Sequence, residues 1–103
     1  MVNTRTPLLA AVESERDPAS VAALADLLEE EGDEEAALGL KWGINRGMWP
    51  EYDGMLEQWL FCTVRNNQMP AFLWPWSVWG RTWLDAFRSL GRALLACRKE
   101  TYP

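Results

Sequence analysis

Apolar residues recur at helical spacing over the first 47 residues of the chain. The pairs Thr6-Pro7 and Asp17-Pro18 each place a capping side chain before a proline, which is a helix start signal. After the second pair, one helical face carries four apolar residues, Val21, Leu24, Ala25 and Leu28. The pattern predicts one helix that ends at about Glu15 and a second that begins at Pro18.

A single glycine, Gly32, separates the second helix from a third. Asp33 is placed to cap the third helix, Gly47 ends it, and its apolar stripe consists of Ala37, Leu40 and Ile44. Because two amphipathic helices joined by so short a turn must fold back on each other, residues 7–47 are predicted to contain an antiparallel helical hairpin.

Residues 48–79 are rich in tryptophan and proline and lose the helical pattern. Trp49-Pro50 and Tyr52-Asp53-Gly54 are turn signals. The segment from Leu56 to Val64 alternates as a β-strand does, although Met55 to Phe61 fits a short helix equally well. We predict an irregular segment that has room for one short β-hairpin.

Two prolines, Pro70 and Pro75, exclude a long helix or an interior strand over residues 69–76. Residues 72–76 are therefore predicted to be extended and to lie over the helices. The polar residues 65–68 are predicted to form the turn that precedes them.

The C-terminal part has a strongly amphipathic pattern that predicts a helix over about residues 81–99. One face carries Trp83, Phe87, Leu90, Leu94 and Cys97, and the opposite face carries Arg81, Asp85, Arg88 and Arg92. Gly91 is expected to weaken this helix by about 1 kcal/mol. The chain is thus predicted to be a single mainly α-helical domain over residues 1–103. It consists of the hairpin (7–47), the Trp- and Pro-rich segment (48–79) and a long amphipathic helix (80–99).

The composition argues against most enzyme classes. At 103 residues the chain contains no histidine, which is the usual proton-transfer group near neutral pH and the commonest nitrogen ligand of metals. The two cysteines, Cys62 and Cys97, are expected to be buried thiols, with one disulfide as the alternative. No apolar run is long enough to span a membrane, and residues 1–6 do not resemble a signal peptide. We therefore expect a non-catalytic cytoplasmic protein without metal or cofactor.

The charges are distributed unevenly along the chain. Residues 1–40 contain ten acidic and two basic side chains, a net charge of −8, whereas residues 41–103 contain five acidic and eight basic ones, a net charge of +3. The acidic total argues against nucleic-acid binding. Four glutamates of the densest acidic run are expected to form a solvated acidic face, which could also dock a basic partner: Glu29, Glu30, Glu34 and Glu35.

Three arginines on the C-terminal helix, Arg81, Arg88 and Arg92, are expected to face solvent, with Arg81 paired to Asp85. Two further uses of these side chains remain open. They could bind phosphate or an acidic protein surface, or they could pair with the acidic hairpin, within the same molecule or across a dimer.

All seven tryptophans lie between Trp42 and Trp83. Trp42, Trp59 and Trp83 are expected in the core. Three others lie in the proline-broken segment and cannot all turn inward, so we expect them to be at least half-exposed: Trp74, Trp76 and Trp79. Together with Arg81 and Arg88, they are the predicted partner-binding residues. A platform for a sugar or a cation is the alternative.

Residues 7–47 resemble the short repeat-companion domain that is abundant in planctomycete bacteria. The resemblance lies in the leader helix with Leu8-Leu9-Ala10-Ala11-Val12 and in the segment Leu24-Ala25-Asp26-Leu27-Leu28-Glu29-Glu30-Glu31-Gly32-Asp33. Leu27 stands where that family usually has tryptophan. The resemblance implies a small helical module of bacterial origin, and the family has no established catalytic activity that it would imply for this chain.

The sequence therefore predicts a small interaction or regulatory module that binds a protein partner or a second copy of itself through its tryptophan-rich region. A small-ligand or carbohydrate-binding domain is one alternative. An acidic inhibitor that mimics nucleic acid is the other. Neither a membrane nor a nucleic acid is an expected partner.

Overall fold

The helix start and stop signals coincide closely with the helix ends in the structure, a computed structural model that describes residues 5–61 and 78–101. Its helices are α1 (Arg5–Glu15), α2 (Pro18–Glu30), α3 (Glu34–Asn45) and α4 (Trp83–Thr101). Its strands are β1 (Glu51–Asp53), β2 (Gln58–Leu60) and β3 (Trp79–Gly80). The fold is mainly helical with a small antiparallel sheet, which confirms the predicted fold class.

Two aspartates cap α2 and α3. The Oδ2 of Asp17 accepts a hydrogen bond from the N–H of Ser20 at 3.1 Å, and the Oδ1 of Asp33 accepts one from the N–H of Ala36 at 3.3 Å. Gly32, between the helices, has a φ of +86°, a left-handed conformation that glycine adopts without strain. These local signals set the ends of both helices, so α2 and α3 pack against each other as the predicted hairpin.

Helices α3 and α4 make the most extensive contact between described elements, and they cross at two glycines. A Cβ atom on Gly39 would overlap the backbone carbonyl oxygen of Phe87, and a Cβ atom on Gly91 would overlap the carbonyl oxygen of Glu35. The two backbones therefore touch directly, an approach that a side chain at either glycine would block. Gly91 lowers the intrinsic stability of α4. A glycine is nevertheless required at this position because α3 and α4 contact each other there.

The core lies where α4 meets the helical hairpin and the sheet. Phe87 is fully buried, and three aromatic rings contact it edge-to-face. The ring centroids of Phe61, Trp49 and Trp83 lie 5.2, 5.5 and 6.2 Å from that of Phe87. Fully buried aliphatic side chains from α1, α2 and α3 complete this core: Val12, Leu24, Leu28 and Leu40.

Helix α4 begins at Trp83, two residues later than predicted. The reason is Thr82, whose Oγ1 accepts a hydrogen bond from the N–H of Asp85 at 3.1 Å and whose carbonyl accepts one from the N–H of Ala86. The apolar face is the predicted one, with Trp83, Phe87 and Leu90 buried and Leu94 and Cys97 half-buried against the core.

The three strands form an antiparallel sheet in the order β1-β2-β3. Of the two structures open for Met55 to Phe61, the helix is wrong, because Gln58–Leu60 pairs as a strand on both sides. Glu51–Asp53 is a strand rather than part of a turn, and the turn begins at Gly54. The predicted turn over 65–68 and the extended segment over 72–76 lie outside the described residues.

We predict that Gly39→Ala and Gly91→Ala each lower the free energy of unfolding by about 2 kcal/mol or more, since overpacking costs roughly 1–3 kcal/mol. Helix propensity alone predicts the opposite sign, a gain of about 1 kcal/mol. Urea denaturation measures the difference. Gly54→Ala is the matched control, because nothing lies within 4 Å of a Cβ atom at that position. Stabilisation by either helical substitution would show that the backbones do not touch.

The capping carboxylate of Asp17 should make stability depend on pH. Hydrogen bonding to Ser20 lowers the pKa of Asp17 below its ordinary value of 3.8. The resulting stabilisation is complete above that value and is lost as the pH falls through the folded-state pKa. Asp17→Asn keeps a capping oxygen without the charge. We therefore expect its stability difference from the native chain to shrink in thermal melts between pH 6 and about pH 3. A difference that stays constant over this range would contradict the assignment.

Candidate functional site

One face of the sheet is turned away from the core. In β-strands successive side chains alternate between faces, and residues directly opposite each other share a face. Trp59 and Phe61 are on the inner face, where Phe61 is buried against Phe87. Leu60 pairs with Trp79 across the β2–β3 ladder, so these two side chains stand together on the outer face.

Several large apolar side chains are exposed on this outer face and on the turn between β1 and β2. Met55 is 95% exposed, Leu56 is 64% exposed and Trp79 is 49% exposed. Contiguous exposed apolar side chains of this size are typical of binding surfaces in folded proteins. We name this region the Trp79 surface and define it by five residues, Met55, Leu56, Gln58, Leu60 and Trp79.

A groove of about 230 Å³ opens within the Trp79 surface. Its walls are Leu56, Leu60 and Trp79, and Gln58 lies between them. The Oε1 atom of Gln58 is buried and accepts no hydrogen bond from any residue that the structure describes. A buried acceptor without a donor is costly, so this oxygen is expected to pair with a water molecule or with a group from another molecule.

The turn that presents Met55 and Leu56 is held by one carboxylate. The Oδ1 of Asp53 accepts hydrogen bonds from the N–H groups of Met55 and Leu56, at 2.9 and 3.1 Å. Glu57 completes the turn with a φ of +53°. Because the backbone is fixed in this way, the exposed side chains project from a defined position.

Helix α4 supports the other side of the surface. The Oγ of Ser89 donates a hydrogen bond to the backbone carbonyl of Trp79 at 2.8 Å. A Cβ atom on Gly80 would overlap the side chain of Asp85, so β3 lies directly on the first turns of the helix. Trp79 is therefore attached to the rigid part of the fold.

The three arginines predicted to form one stripe have different environments. Arg81 is exposed beside β3. Arg88 is half-buried and forms two-pronged hydrogen bonds with Asp33, at 2.7 and 3.1 Å to Oδ2, and it also pairs with Asp85. Hydrogen bonding to Asp33 raises the pKa of Arg88, against the opposing effect of burial. Arg88 thus joins the N-terminal end of α3 to α4. Asp85 was predicted to pair with Arg81, and the structure pairs it with Arg88 instead.

Arg92 makes the second link between these helices, since its Nε is 3.0 Å from Oε2 of Glu35. Of the uses left open for the arginines, pairing with the acidic hairpin inside the molecule is confirmed for Arg88 and Arg92. Arg92 is exposed, as expected for a solvent-facing side chain, whereas Arg88 is half-buried between the two helices.

The predicted acidic face is partly neutralised. The Nζ of Lys41 donates a hydrogen bond to Oε1 of Glu29 at 2.6 Å, and this hydrogen bond raises the pKa of Lys41. Glu35 is paired with Arg92, whereas Glu30 and Glu34 are exposed. Glu29 and Glu34 also border a surface hollow of about 320 Å³, together with Leu38, Lys41 and Leu95.

Among the tryptophans predicted to be in the core, Trp83 is buried, and Trp42 and Trp59 are half-buried against the core. Two arginines stack on half-buried tryptophans, with guanidinium carbons 4.0 Å (Arg16 on Trp49) and 4.3 Å (Arg46 on Trp42) from the ring centroids. The predicted surface tryptophans Trp74 and Trp76 lie outside the described residues, as does Cys62.

Of the five residues of the Trp79 surface, only Trp79 was predicted as a partner-binding residue from the sequence. Met55 and Leu56 directly follow the turn signal Asp53-Gly54, and two large apolar side chains at a turn were the available sign of an exposed surface. Within residues 5–61 and 78–101 no group of acidic or cysteine side chains is arranged to hold a metal ion. No helix in those ranges is long and apolar enough to cross a membrane.

We predict that Asp53→Ala speeds amide hydrogen exchange of Met55 and Leu56 by about fivefold or more, because a hydrogen bond to a charged group contributes roughly 1 kcal/mol or more. Asp53→Asn keeps an accepting oxygen and is the control, with much smaller changes. NMR-detected exchange measures both variants. Equal exchange in Asp53→Ala and the native chain would show that the carboxylate does not hold the turn.

Comparison with models of protein families, with curated proteins and with solved structures finds no match to this chain. The resemblance of residues 7–47 to the repeat-companion domain therefore stays a prediction.

Proposed function

We propose that this chain is a small, non-catalytic interaction module that binds a protein partner through the Trp79 surface. The observation behind the proposal is that Leu56 and Trp79 are exposed around one groove, with Met55 exposed next to Leu56 in the same turn, on a backbone that hydrogen bonds fix in place. Tryptophan and methionine are enriched at protein interfaces, and a rigid presentation lowers the entropy lost on binding. A second copy of the chain is the simplest form of the partner.

The predicted partner-binding residues Trp74, Trp76 and Arg81 belong to this proposal as neighbours of the Trp79 surface in sequence. Arg88 contributes indirectly, since its contacts with Asp33 and Asp85 hold the helix on which β3 rests. The proposal also keeps the expected cytoplasmic location and bacterial source.

The groove gives less support to the alternative of a small-ligand or carbohydrate-binding domain. Its volume of about 230 Å³ is below the roughly 300–1,000 Å³ of sites that enclose a small ligand. Three of its four lining residues are apolar, whereas a sugar needs several polar groups that converge on it. A protein surface that inserts one side chain matches these dimensions better.

The acidic-mimic alternative also has less support. A nucleic-acid mimic needs a row of carboxylates that remain available to the basic groups of a partner. Glu29 and Glu35, half of the predicted acidic face, already form ion pairs with Lys41 and Arg92.

Photo-crosslinking in cells that naturally contain the chain tests the proposal. With benzoylphenylalanine in place of Met55, we expect one discrete adduct, and an adduct of twice the 11.8 kDa chain would identify self-association. The same probe in place of Ala22, which is exposed on α2, is the control and should give no such adduct.

Trp79→Ala should suppress the Met55 adduct, because loss of a tryptophan anchor weakens binding by about 2 kcal/mol, roughly thirtyfold. A matched substitution on α2, Ala23→Ser, should leave it unchanged. Equal adduct yields from both probe positions, or a Met55 adduct that survives Trp79→Ala, would contradict the proposed surface.

A further inference from the structure

We propose that the groove of the Trp79 surface receives one arginine side chain of the partner. This inference rests on the proposed function and specifies the chemistry of the occupant. It combines three observations: the apolar walls of the groove, the buried acceptor at its edge and the charges around it.

The walls of the groove fit the stem and the head of an arginine. Leu56 and Leu60 offer aliphatic surface to a methylene stem, and the half-exposed ring of Trp79 offers a face on which a guanidinium stacks. A groove of about 230 Å³ has room for one long side chain and not for a folded segment. The size therefore favours insertion of a single residue.

The buried acceptor beside the groove calls for a donor. The Oε1 of Gln58 lacks a hydrogen bond from the described residues, and Gln58 lines the groove. Because the last torsion of a glutamine side chain is soft, we expect the terminal amide to rotate when the groove is filled, so that Oε1 meets the inserted group. Guanidinium carries five N–H donors and no acceptor, so it can satisfy this oxygen while another of its N–H groups remains for a carboxylate. An apolar side chain would leave Oε1 without a partner.

The charges around the groove also favour a cation. Asp53 pairs with Gln58 in the β1–β2 register and so shares the outer face with it, and Glu57 directly precedes Gln58 in the turn. The hydrogen bonds that Asp53 accepts from the turn leave its negative charge in place. Among the described basic residues, Arg81 is the one that directly follows β3 in sequence, so within this part of the chain two carboxylates stand against one guanidinium beside the surface.

The protein already uses this chemistry twice. The guanidinium groups of Arg16 and Arg46 lie over Trp49 and Trp42, within the distance of an attractive cation–π contact. Trp79 exposes the same kind of ring without a stacked arginine among the described residues. Arginine is preferred to lysine because its planar head stacks on a ring and is less strongly hydrated.

The test uses short peptides as probes of the intact native chain. Acetyl-Ala-Leu-Arg-Leu-Ala-amide is titrated while two-dimensional NMR follows the indole N–H of Trp79 and the side-chain amide of Gln58. The matched control peptide carries citrulline, a neutral analogue of nearly the same shape, in place of arginine. A third peptide carries lysine.

We expect the arginine peptide to shift the Trp79 and Gln58 signals and to bind at least about tenfold more tightly than the citrulline peptide, with lysine in between. Asp53→Asn, which keeps the turn, should reduce the advantage of arginine by threefold or more. Trp79→Leu keeps an apolar wall without a ring face and should reduce it further. The indole signal of Trp42 should not change with any peptide.

Equal binding of the arginine and citrulline peptides at Trp79 would overturn the cation inference and leave the interaction surface intact. Tighter binding of lysine than arginine would overturn the stacking argument. Absence of any shift at Trp79 would also overturn the inference. The crosslinking experiment at Met55 tests the proposed function separately, because it does not depend on which side chain of the partner enters the groove.

Discussion

The direct contact between the backbones of α3 and α4 is the constraint on which the rest of the structure depends. Gly39 and Gly91 each leave room for a carbonyl oxygen of the opposite helix, and Gly43 leaves room for the ring of Phe87, which would lie 2.7 Å from a Cβ atom there. Because the helices approach so closely, Phe87 is brought into the centre of the core. Small residues at one crossing thus allow a large aromatic residue beside it.

Two ion pairs strengthen the same contact on its polar side. Arg88 binds Asp33 at the start of α3, and Arg92 binds Glu35 two residues further along. Asp33 also caps α3, so one carboxylate serves both the helix end and the contact between helices. The more exposed of these pairs contributes little to stability, whereas the half-buried Arg88 pair holds α4 against the start of α3. Phe87, on the same helix, packs against Phe61 on the inner face of the sheet, and the outer face with Trp79 is left exposed.

The parts of the fold that the sequence predicts are those that local interactions determine. Asp17, Asp33 and Gly32 act within a few residues of their own position, so the ends of α2 and α3 follow from the chain itself. Gly91 is needed because it contacts Glu35, which is far away in sequence. The sequence alone shows only that a glycine lowers the stability of the helix that contains it. Three-residue strands carry too little periodicity to be distinguished from a turn or a short helix before their pairing partners are known. The candidate site could not be predicted for the same reason. Leu60 and Trp79 are far apart in sequence, and the pairing of β2 with β3 brings them together.

The scaffold packs one face of the sheet against the core through Phe61 and leaves Trp79 on the other face open to a partner. Labelling the chain with 5-fluorotryptophan and comparing its fluorine NMR spectra in H₂O and D₂O measures the solvent contact of each ring, with signals assigned by single Trp→Phe variants. We expect a clear solvent isotope shift for Trp79, which is 49% exposed, and almost none for Trp83, which is 7% exposed. A Trp79 signal as insensitive to solvent as that of Trp83, in dilute protein, would mean that the chain covers this face itself and would contradict the account.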